Sequence, residues 1–137
     1  MWKLYALLAA FFASLTAIFS KMGVRGVDSN LATAIRVSFI LLLTWGIVFF
    51  TGAAKEIRSL SWHTLFFIFL SAIATGLSWL FYFKALQLGD VSKVAAIDKL
   101  SVALTIFLAI LLLNEPVDLK TIVGGLLITC GSLALLL

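Results

Sequence analysis

Asp98 is the one acid that falls well inside an apolar stretch of this sequence, and Arg36, Lys84, Lys21 and Lys99 are cations at a comparable depth. Such a set can form ion pairs, receive an anionic or carboxylate-bearing solute, or, at Asp98, carry a proton. A charge at the centre of an apolar helix costs about 2.5–3.5 kcal/mol on insertion scales, so Asp98 calls for a partner. Arg36 and Lys84 are the candidates, because the adjacent Lys99 points about 100° away around a helix. A permanent pair would keep Asp98 ionised and oppose proton carriage. Two roles stay open for the set: a packing ion pair with snorkelling lysines, or a net-positive vestibule.

Hydroxyl and aromatic groups form two further patterns. Asp98, Ser101 and Thr105 recur at i, i+3 and i+7, and Ser71, Thr75, Trp79 and Tyr82 form a second stripe. Either stripe can line a cavity for a small amphipathic solute or bond its own backbone and a neighbouring helix. Enzymatic chemistry has little to build on. His63 is the sole histidine and Cys130 the sole cysteine, which leaves no nucleophile–base pair, disulfide framework or metal-ligand cluster, and no cofactor is expected.

The elements that must position these groups are membrane helices. The chain has 137 residues, is 64% hydrophobic and 12% charged, with a mean hydropathy of +1.22, far from a soluble domain. At roughly 20 residues per span, five helices consume about 100 of the 137 residues and leave no room for a domain outside the bilayer. The spans are expected at 2–22, 31–51, 62–86, 91–113 and 119–137. The apolar run from Leu4 to Ser20 is longer than a signal-peptide core of roughly 7–15 residues and reads as a retained helix. Ser29 or Asn30 is the expected N-cap of the second helix, Asp90 or Ser92 that of the fourth, and Asp118 that of the fifth after Pro116 closes its predecessor. The fourth segment is apolar without interruption only over 100–113, about 21 Å of helix. It spans only by carrying Asp98 and Lys99 inside; otherwise it is re-entrant. Trp2, Tyr5 and Trp62 sit at helix ends as interface anchors, whereas Trp45 and Trp79 lie deeper.

The ten Lys/Arg give a net charge of +4 but form no run, so they read as helix anchors and not as a nucleic-acid surface. With alternating helices, Lys3, Lys55, Arg58 and Lys120 fall on one face of the membrane. Lys21, Arg25, Lys84 and Lys93 fall on the other. This tie leaves orientation weakly specified and allows insertion both ways. An odd helix number puts the termini on opposite faces, so two copies paired upside down make an inverted repeat. Gly124, Gly125 and Gly131 in the last helix allow close backbone approach, within one subunit or between two.

Lys84-Ala-Leu-Gln-Leu-Gly-Asp-Val-Ser92, running through Val94-Ala-Ala96 to Leu113-Asn-Glu115-Pro116, resembles the second half of an EamA-type domain of the drug/metabolite transporter superfamily. Ser29-Asn-Leu-Ala-Thr-Ala-Ile-Arg36 is similar to the start of that domain's second helix. The resemblance covers essentially the whole chain. It implies an all-α integral membrane protein, one five-helix half of an inverted-repeat ten-helix transporter. It further implies a secondary transporter of amino acids, metabolites or drug-like solutes, often an exporter. Trp79 and Tyr82 match the aromatic end of the third helix that lines the family's cavity. The expectation is a homodimer in the cytoplasmic membrane of a prokaryote. A non-transporting membrane scaffold and a lipid-carrier flippase are the alternatives. Two positions depart from the pattern: Asp98-Lys99 stands where long members are apolar, and Asn114 replaces a more usual glycine. The first helix has no acid, so the proton coupling of the small multidrug resistance proteins does not carry over.

Overall fold

The computed structural model describes residues 1–135 and 137, and among these it is wholly helical. The helices are α1 (Trp2–Gly23), α2 (Ser29–Thr51), α3 (Trp62–Leu88), α4 (Val91–Asp98), α5 (Leu100–Leu113) and α6 (Leu119–Ala134), with a 3₁₀ helix at Ala53–Ser59. Trp2–Gly23, Ser29–Thr51, Trp62–Leu88 and the stretch Val91–Leu113 are long and apolar enough to cross a membrane. α6 has 16 residues, about 24 Å, shorter than the expected span at 119–137, part of which, residue 136, lies outside the described residues. Most large apolar side chains are exposed, as suits helices solvated by lipid tails.

Local chemistry explains the boundaries. The N-cap of α2 is Asp28, one residue before the expected Ser29 and two before Asn30. Its Oδ1 accepts from the backbone N–H groups of Asn30 (2.9 Å) and Leu31 (3.0 Å), and a carboxylate also suits the positive end of the helix. Asp90 occupies the N-cap position of α4 without a side-chain capping bond. Asp118 caps α6 as expected, accepting from the Thr121 N–H at 2.9 Å. Asn114 ends α5 in the left-handed region at φ 51°, a conformation that asparagine tolerates better than other side chains and glycine best.

The fourth apolar segment, a single candidate span over Val91–Leu113, is interrupted at Lys99. Lys99 separates α4 from α5, with bonds from Lys99 N–H to Ala96 O (3.1 Å) and from Val102 N–H to Lys99 O (3.0 Å) in the tighter three-residue spacing. The Asp98, Ser101, Thr105 stripe therefore straddles a break.

The contacts divide the chain into two units, residues 1–19 with 88–137, and residues 20–87. In the first, α6 packs on α5 and α4. Gly125 and Ser132 are buried there, and a Cβ at Gly125 would meet Ile106 Cδ1 at 2.8 Å, so this glycine faces α5 at close quarters. In the second, Ser20, Val24, Ser29, Thr33, Phe83 and Leu86 are buried where the end of α1, the loop after it, the start of α2 and the end of α3 converge.

Candidate functional site

In the unit of residues 20–87, the converging ends carry most of the singled-out charges. Lys21 Nζ donates to the carbonyl of Leu86, satisfying an acceptor in the last turn of α3. Gln87 Nε2 donates to the carbonyls of Val27 (2.6 Å) and Val24 (3.2 Å), tying the loop after α1 to α3. A cavity of about 350 Å³ lies here, lined by Lys21, Val24, Arg25, Gly26, Leu86 and Gln87. The sequence reading did not single out Gln87. Its signal was an amide left at the apolar end of the third helix.

Arg36 projects from α2 against α3. Its Cζ lies 4.4 Å from the ring centroid of Trp79 and 5.2 Å from that of Phe83. The two rings are four residues apart and so share one face of α3. A desolvated cation–π contact is worth about 2 kcal/mol, comparable to the 2.5–3.5 kcal/mol cost of placing a charge in a span. Two rings thus offset much of that cost without a carboxylate. Among the described residues the guanidinium donates no hydrogen bond and pairs with no acid, while the Tyr82 phenol lies within electrostatic reach. Phe83, at 3% exposure, is the residue the sequence reading missed; its position four residues after Trp79 was the available clue. Lys84 is exposed. The Thr75 hydroxyl is committed to the Ser71 carbonyl at 2.8 Å, a bond within its own helix.

The other unit holds the remaining groups. Asp98 pairs with Lys99, Oδ2 to Nζ at 3.4 Å, with the two side chains 40% and 55% exposed. Arg36 and Lys84, the expected partners, belong to the other unit. Lys99 keeps right-handed helical backbone at the junction, and its long side chain reaches back to the neighbouring carboxylate. Ser101 and Thr105 are exposed on α5. On α6, Gly125 faces Ile106, whereas Gly124 and Gly131 have nothing within 4 Å of an added Cβ. Trp45, for its part, stacks on Phe49 at 5.6 Å in residues 20–87 and lines a second cavity of about 280 Å³.

Long apolar helices, an arginine held by aromatic rings within one of them and a charged pair in another segment are features of a membrane protein, in which ionisable groups within spans are rare. The sequence profile of the EamA-like transporter family matches residues 1–137. The chain belongs to this family. It is also 42% identical over 134 residues, covering 98% of this chain and 95% of the relative, to a Sinorhizobium protein described as an uncharacterized transporter in the cobO 3′ region. No solved structure matches the chain. The EamA-like protein is thus a multi-pass membrane protein of a family of transporters, not of enzymes.

Proposed function

We propose that this EamA-like protein is a secondary transporter of small metabolites, amino acids or drug-like solutes. It works as an exporter in the cytoplasmic membrane of a prokaryote. The observation that carries this reading is a cationic side chain, Arg36, kept within an apolar span beside two aromatic rings in a chain of a transporter family. The bacterial relative supports the choice of membrane.

The working unit is an antiparallel homodimer, with 1–137 as one five-helix domain, α4 and α5 together forming the fourth crossing and α6 the fifth. Paired upside down, two such domains supply the inverted repeat on which alternating access rests. Support comes from the clear face at Gly124 and Gly131, which leaves room for another helix, and from the tied count of peripheral cations. Within residues 20–87, Trp79, Tyr82 and Thr75 line the path of the solute, with Arg36, Lys84 and Lys21 as its charges; Asp98, Lys99, Ser101 and Thr105 are the polar groups of the other unit.

Two measurements test this. Reporters active on only one side of the membrane, fused to the C-terminus, should give signal on both sides; a single orientation eliminates the antiparallel dimer. Purified protein in liposomes should take up amino acids or drug-like solutes, and Trp79→Ala should reduce that uptake at least tenfold. Wild-type liposomes that move none of them refute the transporter reading.

A further inference from the structure

We propose that Arg36 is the anion-recognition residue of this transporter and takes the carboxylate or phosphate head of its solute edge-on. This rests on the transporter reading above and narrows its substrate class to solutes with an anionic oxygen head.

The geometry of the guanidinium carries the argument. The Arg36 Cζ lies over the Trp79 and Phe83 rings, and contact with ring faces spends none of the guanidinium's N–H donors. Those donors form the planar fork that matches two oxygens of a carboxylate or phosphate. Among the described residues none of them is used.

Depth gives the second strand. Arg36 lies seven residues after the start of α2, about 10 Å along the helix. Phe83 and Trp79 lie five and nine residues before the end of α3, about 7 and 13 Å. The rings thus hold the guanidinium at the depth of its own backbone, instead of letting it snorkel to the surface as an unattached arginine does.

The surrounding charges select the sign of the ligand. Lys21, Arg25 and Lys84 belong to the same unit, and the nearest acid in sequence, Asp28, is committed to the N–H groups of Asn30 and Leu31. The cavity in the same unit is lined by the cations Lys21 and Arg25 and by no acid. The same head group can come from a free solute or from an anionic lipid, and the test separates these sources.

The experiment uses the full chain in nanodiscs, with Trp2, Trp45 and Trp62 replaced by phenylalanine so that Trp79 alone reports. Phenylacetate and phenyl phosphate should each change Trp79 emission saturably, and the isosteric neutral phenylacetamide should not. Arg36→Gln should abolish the response, and Arg36→Lys, which keeps the charge and loses the fork, should weaken it at least tenfold. A response equal for phenylacetamide and phenylacetate, or intact in Arg36→Gln, overturns the proposal, as does silence to both anions in phosphatidylcholine and in phosphatidylglycerol discs. If phosphatidylglycerol discs alone produce the emission change and block phenylacetate, Arg36 holds a lipid head group and the anion assignment stands with lipid as its source. Should Arg36→Gln fail to fold, the comparison of phenylacetate with phenylacetamide on the tryptophan-reduced protein still decides. Uptake by liposomes of the same preparation keeps the two readings apart. Arg36-dependent binding without uptake refutes transport alone, and uptake without Arg36-dependent binding refutes this assignment alone.

Discussion

Arg36 and Asp98 are both charges set into apolar segments, and the protein accommodates them by opposite means. Around Arg36 the helices stay continuous and another helix supplies the stabilising groups, the rings of Trp79 and Phe83. At Asp98 the helix itself gives way, and the partner is the next residue, Lys99, in a half-exposed pair. The first solution depends on helix–helix packing and the second on local backbone. Substitutions near Arg36 should therefore disturb the fold, whereas those at Asp98 should leave it largely intact.

The largest effect is expected at Phe83. Its ring is 3% exposed, and truncation of a buried phenylalanine costs about 3–5 kcal/mol, so Phe83→Ala should lower unfolding stability in detergent by roughly 3 kcal/mol. Phe81→Ala, two residues away and 74% exposed, should change it by less than about 0.5 kcal/mol. Equal effects would remove the packing side of the contrast.

Next comes the contact that holds α6 on α5. Gly125→Leu must displace more than the mobile end of Ile106 and should cost about 1–3 kcal/mol, read as a lower melting temperature. Gly124→Leu meets open space and should leave the melt of the monomer unchanged. If the antiparallel dimer forms through this face, Gly124→Leu should instead shift the monomer–dimer balance.

A smaller change is expected for Asp98→Asn. The pair with Lys99 is half-exposed, and such pairs are worth about 0–1 kcal/mol, so stability should fall by less than about 1 kcal/mol. A loss comparable to that of Phe83→Ala would mean that Asp98 holds helices together.

The smallest effect is a pH dependence at the start of α6. The Thr121 hydroxyl, and after it the Thr121 N–H, hold the Asp118 carboxyl below its ordinary range. Because the folded value is depressed, the cap stabilises the helix above the ordinary carboxylate value of about 3.9 and is lost as pH falls through the lower folded value. A carboxyl titration by NMR should show this, with Thr121→Val moving the midpoint back up.

Much of the architecture was legible because a bilayer imposes it. Apolar runs near 20 residues, closed by Gly52, by Gly89-Asp90 and by Pro116, mark helices whose ends the structure moves by only a few residues. The cap at Asp118 was legible because capping is local. The break at Lys99 was not, since the apolar run continues past it and both charges are compatible with a helix. Nor was the 3₁₀ helix at Ala53–Ser59, which follows the left-handed Gly52. Around the candidate site, Arg36 and Trp79 stood out in the sequence while Phe83 did not, and the local pair of Asp98 with Lys99 came only from the structure.

By itself the sequence determined that this protein lives in the bilayer, roughly where its helices run, and which few side chains enter them charged. Those properties follow from residue-by-residue transfer energies and from hydrogen bonds between near neighbours. Which charge meets which ring, and which glycine faces a neighbour, was decided by the tertiary structure alone. A contact between helices depends on their relative rotation and height, and lipid-solvated apolar faces leave both undetermined until the helices pack.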